Sequence, residues 1–362
     1  MRVLHLFGDW KWTGPAEPTL DLCLELRALG IDAAFACQAA PPEGTGTLPD
    51  RARERGLEPD FSFALNRKFN LRDNLADIGR LRKRCEEGLD IVHVHFTHDH
   101  IIGAMGAHGR AKLVRTNHKG AALPWLLRKR IDGYLTFSRA ELERAKLAAP
   151  AHLISPGMRL DRFDPSRPRG DTRKQFGIAP DAFVLGVVAR MQRHRRFDVL
   201  LQGVALARKR VPDLRVLVVG RGTNMKEVAV EPARKLGLEQ TVTFTGYLAD
   251  KYVDTVAAFD ALLFLVPGSD GTCRALREAM AMGKAAIGAR RGMIPEIVDD
   301  GWNGFVVDDT PENLAAAIER LARDRALCAE MGRRGREKAL ASYDIRRQAK
   351  DVAAFYSSLL HA

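Results

Sequence analysis

Short apolar segments alternate with amphipathic ones along the chain, and the alternation stops once and starts again. RVLHLF (2–7), DAAFAC (32–37), DIVHVHF (90–96), KLVRT (112–116) and GYLTF (133–137) predict strands. Runs this short and this apolar bury both faces, as parallel strands do. PTLDLCLELRALG (18–30) predicts an amphipathic helix stopped by glycine, and the Pro/Gly-rich stretch 40–60 a loop. Near 155–180 the chain turns rich in proline, glycine and charge; AFVLGVVAR (182–190), LRVLVVG (214–220), VTFTG (242–246) and DALLFLV (260–266) then resume the pattern. From Pro311 to His361 a helical tail follows, with breaks expected near Gly332 to Gly335 and at Tyr343. Two successive βα arrays predict two doubly wound α/β domains facing a cleft, spanning 1–168 and 169–344.

Composition narrows the partners. With 57 Lys and Arg against 45 Asp and Glu, the formal charge of +12 favours anions such as phosphates or a lipid surface. Nucleic acid is not expected, because no reading helix or aromatic RNP-type pair stands out. No apolar run approaches the ~18 residues of a membrane span. MRVLHLFGDW turns polar too early for a secretory signal, and Cys23, Cys37, Cys85, Cys273 and Cys328 are scattered. The expectation is a cytoplasmic protein with reduced thiols.

In doubly wound sheets ligands bind beyond the carboxyl ends of the strands. After the first strand Gly14 lies in a turn before a helix, where bare backbone can approach a phosphate. The absence of GxGxxG there argues against a nicotinamide dehydrogenase. Arg190, Arg193, Arg195 and Arg196 gather after VLGVVA at a helix start. Cations do not stabilise that end of a helix, so the cluster is either an anion site or a solvated basic loop. Gly220 and Gly222 follow another strand and read first as tight-turn residues. In PGSDGTCRALREAMAMG the amides of Thr272, Cys273 and Arg274 open a helix and could face a diphosphate. Glu278 could accept from ribose hydroxyls, and Asp270 from a sugar; alternatively Asp270 caps the helix and Glu278 is a surface acid.

The order R-x4-R, VVGRG, FTG and SDGTCRALREAMAMGKAAIGARRGMIPEIVDDGWNGFVV resembles the C-terminal half of the retaining nucleotide-sugar glycosyltransferases of family 4, which have the GT-B fold. Glu278 to Gly283 and Pro295 to Gly304 match closely; DIVHVHF, TGPAEP and FSRAELERA extend the likeness more loosely to the N-terminal half. The resemblance implies two Rossmann-like domains, with residues 345–362 crossing back to the first. It implies that Arg190 and Arg195 neutralise the donor diphosphate, that Gly14 and Gly220 approach it, and that Glu278 holds the ribose. Asp270, where the family usually has Glu, would contact the donor sugar, and His118 would approach the reacting sugar. It implies no metal and no cofactor beyond the nucleotide diphosphate sugar as co-substrate. Arg195 stands where Lys is usual, and SPGMR (155–159) where the family has Asn-Gly-Val-Asp. With Asp270, these departures keep open a non-catalytic sugar-nucleotide-binding relative.

HVHFTHDH (93–100) offers another chemistry, since His93, His95, His98, Asp99 and His100 resemble a dinuclear metallohydrolase signature. The Asp-His pair comes two residues late for that pattern, so a polar rim or an acceptor contact is expected instead. RKFNLRDNLADIGRLRKR (67–84) and PWLLRKR (124–130) add to the basic surface, and Trp125, Leu126 and Leu127 beside three cations read either as a segment lying on an anionic membrane or as a core-packed helix with a charged end. With the resemblance, this suggests a glycan or glycolipid acceptor, lipopolysaccharide or another surface polysaccharide, and an enzyme peripheral on the inner face of the cell membrane.

Overall fold

The computed structural model describes all residues except 67–69, 119–123, 168, 249–250, 269–270 and 362. Two compact units form, Met1–Arg159 with Tyr343–Ala362, and Leu160–Ser342. The division falls after Arg159, ahead of residue 168, because Leu160 and Phe163 are buried and the Phe163 ring packs edge-on against Tyr252 of the second unit.

Each unit contains a six-stranded parallel sheet. In the first unit the strands are β1 (Arg2–Phe7), β2 (Asp32–Cys37), β3 (Ile91–Val94), β4 (Lys112–Asn117), β5 (Gly133–Thr136) and β6 (Ala151–Leu153). Their spatial order is β2-β1-β3-β4-β5-β6. The second unit has β7 (Phe183–Val188), β8 (Leu214–Val219), β9 (Val242–Gly246), β10 (Ala261–Phe264), β11 (Ala285–Ala289) and β12 (Gly304–Val307), ordered β12-β11-β10-β7-β8-β9. The strand order reverses between β1 and β3 in one sheet and between β7 and β10 in the other. These switch points leave a crevice at the carboxyl ends of the strands.

All nine expected strands form, while β6, β11 and β12 were not anticipated. AAIGA and GFVV are small or glycine-bearing and carry little β signal, yet the β11 backbone pairs on both sides. Residues 40–60 are not wholly loop: Leu48–Glu54 is a helix, started by Thr47, whose hydroxyl accepts from the Asp50 amide while the Asp50 carboxylate accepts from the Thr47 amide. The tail breaks at Asp324 and Tyr343, giving helices Pro311–Arg323, Arg325–Ser342 and Ile345–Leu360. Gly332 and Gly335 lie inside the middle helix instead of ending it. A Cβ on Gly332 would stand 2.1 Å from the Gly283 carbonyl oxygen, so this glycine serves close packing.

The core of the second unit joins Leu185, Val187, Leu201, Val216, Val218, Leu263 and Ile287 with helix residues such as Leu314 and Ile318. In the first unit Ile345–Leu360 packs against Ala16–Ala28 and buries Val352, Phe355 and Tyr356. No helix among the described residues is long and apolar enough to cross a membrane.

Candidate functional site

The β7/β10 switch point gathers most of the donor-side candidates. After β7 the chain runs through Arg190 into a 3-10 turn (Arg193–Arg195), and Arg196 takes a left-handed conformation before helix Phe197–Arg208. Arg193 pairs with Glu227 at 3.0 Å and Arg196 with Asp309 at 3.1 Å, so half of the cluster carries its own counter-charge. Arg195 donates from Nη1 to the carbonyls of Val266 (2.8 Å) and Pro267 (2.7 Å), tying the β7 loop to the β10 loop. Arg190 is exposed and has no hydrogen bond or ion pair among the described residues. An unpartnered cation beyond a strand end is available to an anion.

Helix Arg274–Ala281 begins just beyond β10. Cys273 precedes it at φ 50° as the N-cap residue and makes no side-chain cap hydrogen bond. Arg277 is buried; its Nε donates to the Thr272 carbonyl (2.9 Å) and its Nη2 to the Thr272 hydroxyl (3.0 Å). That grip fixes the segment holding the Thr272, Cys273 and Arg274 amides. Glu278 is not a surface acid, being only 2% exposed. Its Oε1 accepts from Arg274 Nε and its Oε2 from the Tyr252 hydroxyl, both at 2.6 Å. Burial, then the Glu278 charge, push the Tyr252 phenol well above its ordinary value, so it stays protonated as a donor. Asp270 lies outside the described residues. Gly220, at φ 137°, would place a Cβ 2.2 Å from the Ala189 carbonyl oxygen, and Gly222 one 2.1 Å from that of Met191. At both positions the missing side chain allows two loops to approach closely.

In the first unit Gly14 sits in the turn leading into helix Ala16–Ala28, beyond β1 at that sheet's switch point. His118 follows β4 and is buried. Its Nε2 is 3.1 Å from His95 Nδ1, and His95 Nε2 is 3.1 Å from His5 Nδ1. His93 bonds Thr116 through Nε2 (2.6 Å) and the Tyr356 hydroxyl through Nδ1. Desolvation lowers the pKa of His5 to about 3 and holds those of His93 and His95 well below the ordinary histidine value, so these three are neutral near pH 7.

The residues of HVHFTHDH do not converge on one centre. His98 bonds Asn74 (3.0 Å), His100 bonds the Arg130 carbonyl (3.2 Å), and Asp99 accepts from the amides of Gly8 and Phe96. The metallohydrolase arrangement therefore does not form. What does form is a group of His5, His93 and His95, whose ligand nitrogens lie within 4.8 Å of one another. Both nitrogens of His93 and of His95 are already committed to hydrogen bonds.

Sequence reasoning missed Tyr252, Arg277 and His5. The parallel register that sets His5 beside His93 could have flagged the last. Tyr252 lies 26 residues from Glu278 on another helix, so no local spacing announces it.

Comparison with known proteins fits this geometry. Residues 168–338 match the family model Glycosyl transferases group 1, and residues 14–162 match Glycosyltransferase Family 4. Across 72% of its length the chain is 30% identical to the GDP-mannose-dependent alpha-(1-6)-phosphatidylinositol monomannoside mannosyltransferase of Mycolicibacterium smegmatis, covering 69% of that protein. The chain belongs to the family 4, group 1 glycosyltransferases. This glycosyltransferase is also 27% identical to EpsD of Bacillus subtilis strain 168, whose name is that of a glycosyltransferase, over 84% of the chain and 86% of EpsD. The crystal structure of Anabaena Alr3699/HepE in complex with UDP has the same fold, at a TM-score of 0.82 and 20% identity over 99% of this chain and 100% of that one. The GT-B assignment, with its two Rossmann-like domains, stands on that likeness and on the two sheets.

Proposed function

We propose that this glycosyltransferase moves a sugar from a nucleoside-diphosphate sugar to a glycan or glycolipid hydroxyl, with retention at the anomeric carbon and without a metal ion. The observation that carries the reading is the β7/β10 switch point: exposed Arg190 follows β7, Arg195 ties the β7 loop to the β10 loop, and helix Arg274–Ala281, which carries buried Glu278, begins just beyond β10. A diphosphate needs cations and amides, and a ribose needs a fixed carboxylate. The Anabaena relative is described in complex with UDP, and the mycobacterial one is named for GDP-mannose and a phosphatidylinositol mannoside. Both names agree with a nucleotide donor, and the second with a glycolipid acceptor.

In the reaction the bond from the anomeric carbon to the β-phosphate oxygen breaks as charge builds on the nucleoside diphosphate. Arg190, Arg195 and the amides of Thr272, Cys273 and Arg274 stabilise that charge. The acceptor hydroxyl oxygen bonds to the same face of the oxocarbenium-like carbon, and its proton passes to the departing phosphate. Asp270 is assigned to the donor sugar, His118 to the reacting sugar, and Gly14 and Gly220 to loops that approach the phosphates.

A face of the first unit suits a surface-borne acceptor. Leu71, Leu75, Ile101, Met105, Trp125 and Leu126 are exposed on three helices that contact in series, and Lys129 lies over the Trp125 ring. Apolar side chains beside cations fit the headgroup region of an anionic bilayer, and so a cytoplasmic enzyme peripheral on the inner leaflet, in lipopolysaccharide or surface polysaccharide assembly.

Thermal unfolding with UDP, GDP, ADP or CMP, with and without EDTA, tests the donor site. At 100 times its dissociation constant a ligand adds about 2.7 kcal/mol, a shift of several degrees. One diphosphate should stabilise the protein regardless of EDTA and lose its effect in Arg190→Ala. Stabilisation by no nucleotide, with a melting point lowered by EDTA, refutes the reading and turns attention to His5, His93 and His95.

A further inference from the structure

The acid assigned to the donor ribose is already occupied. Glu278 accepts from Arg274 on one oxygen and from Tyr252 on the other. The two donors are not equivalent. The Tyr252 ring packs edge-on against Phe163 and can leave only if that contact opens. The Arg274 side chain is 26% exposed and is the first residue of its helix, an end where the helix dipole opposes a cation. Its Glu278 pair offsets that repulsion. Arg274 is therefore the partner that can be drawn away, and a diphosphate at the same helix start is the anion to draw it.

We propose that Arg274 is a specificity-determining residue that makes the nucleoside part of the donor bind only together with its diphosphate. Without ligand, the guanidinium holds Glu278 Oε1. When the diphosphate arrives, Arg274 turns to the phosphate oxygens, and Oε1 becomes an acceptor for the ribose hydroxyls while Tyr252 keeps Oε2 in place. A nucleoside alone has no charge to offer Arg274 and must compete with a charge-assisted hydrogen bond for the same carboxylate oxygen. This inference rests on the donor-site reading above.

The test is a titration of the full chain and of Arg274→Ala with uridine, guanosine and adenosine, and with UDP, GDP and ADP. In Arg274→Ala the diphosphate should weaken by about ten-fold or more, the worth of one charge-assisted hydrogen bond. The matching nucleoside should tighten by a similar factor, because Glu278 is released. Changes of opposite sign separate this role from a structural one, which would weaken both ligands together. Arg274→Gln, which keeps most of the side chain and removes its charge, should shift both ligands in the same directions and guards against misfolding of the alanine variant. If both ligands weaken in parallel, or the nucleoside is unaffected, while the wild type binds a diphosphate, the inference fails and the donor site stands. If the wild type binds none of the diphosphates, the donor-site reading fails and the inference with it.

Discussion

Replacing Tyr252 by Phe removes one oxygen and leaves the ring where it packs edge-on against Phe163. The lost group is the hydroxyl that donates to Glu278 Oε2 at 2.6 Å. Glu278 is 2% exposed, so little water can take its place. A hydrogen bond to a charged acceptor contributes ~1.5–3 kcal/mol, and leaving one oxygen of a buried carboxylate without its donor puts the loss in the upper half of that range. At ~2–4 °C per kcal/mol for a unit of this size, the melting temperature should fall by about 5–12 °C.

The same variant alters the alkaline limb of the stability curve. The Tyr252 pKa is raised above its ordinary 10.0 in the folded state, so the unfolded chain loses that proton first as pH rises. Its contribution is complete below pH 10 and declines as pH climbs from 10 toward the folded value. Tyr252→Phe should lack that part of the decline. Differential scanning calorimetry at pH 7 and from pH 9 to 11 measures both effects, and a double-mutant cycle with Glu278→Gln isolates the pair. A melting point within 1 °C (roughly 0.5 kcal/mol) of wild type, or strict additivity in the cycle, would refute the idea that the hydroxyl holds the carboxylate.

Two further outcomes follow from the geometry. Gly220→Ala should destabilise the second unit by about 2 kcal/mol or more, because the backbone is at φ 137° and the new methyl meets the Ala189 carbonyl; urea unfolding reads this. In acid, stability should fall between pH 6.5 and about 4, since the His100 pKa is lowered from 6.5 to about 4 by burial and the unfolded chain takes up that proton first. The His100 share is about 3 kcal/mol at 1.36 kcal/mol per pKa unit, and a flat urea midpoint across that window would contradict it.

The strand pattern and the GT-B likeness were legible in the sequence because they depend on local composition. Buried parallel strands must be short and apolar, and RVLHLF, DAAFAC and VTFTG became strands over their full expected length. Where composition is weak, as in AAIGA, pairing with two neighbours makes the strand. Gly332 reads as a helix breaker by propensity, but against the Gly283 carbonyl its lack of a side chain is what allows the helices to pack.

For the site, sequence determined which residue types lie after which strand: Arg190 and Arg195 after β7, and Glu278 on the helix after β10. It could not say that Arg193 and Arg196 are ion-paired, that Glu278 is buried beneath Tyr252 and Arg274, or that His5 joins the histidines of β3. Side-chain type and strand order act along the chain and leave a local signature. Burial, ion pairing and the pKa shifts they cause depend on residues distant in sequence, so only the packed structure decides them.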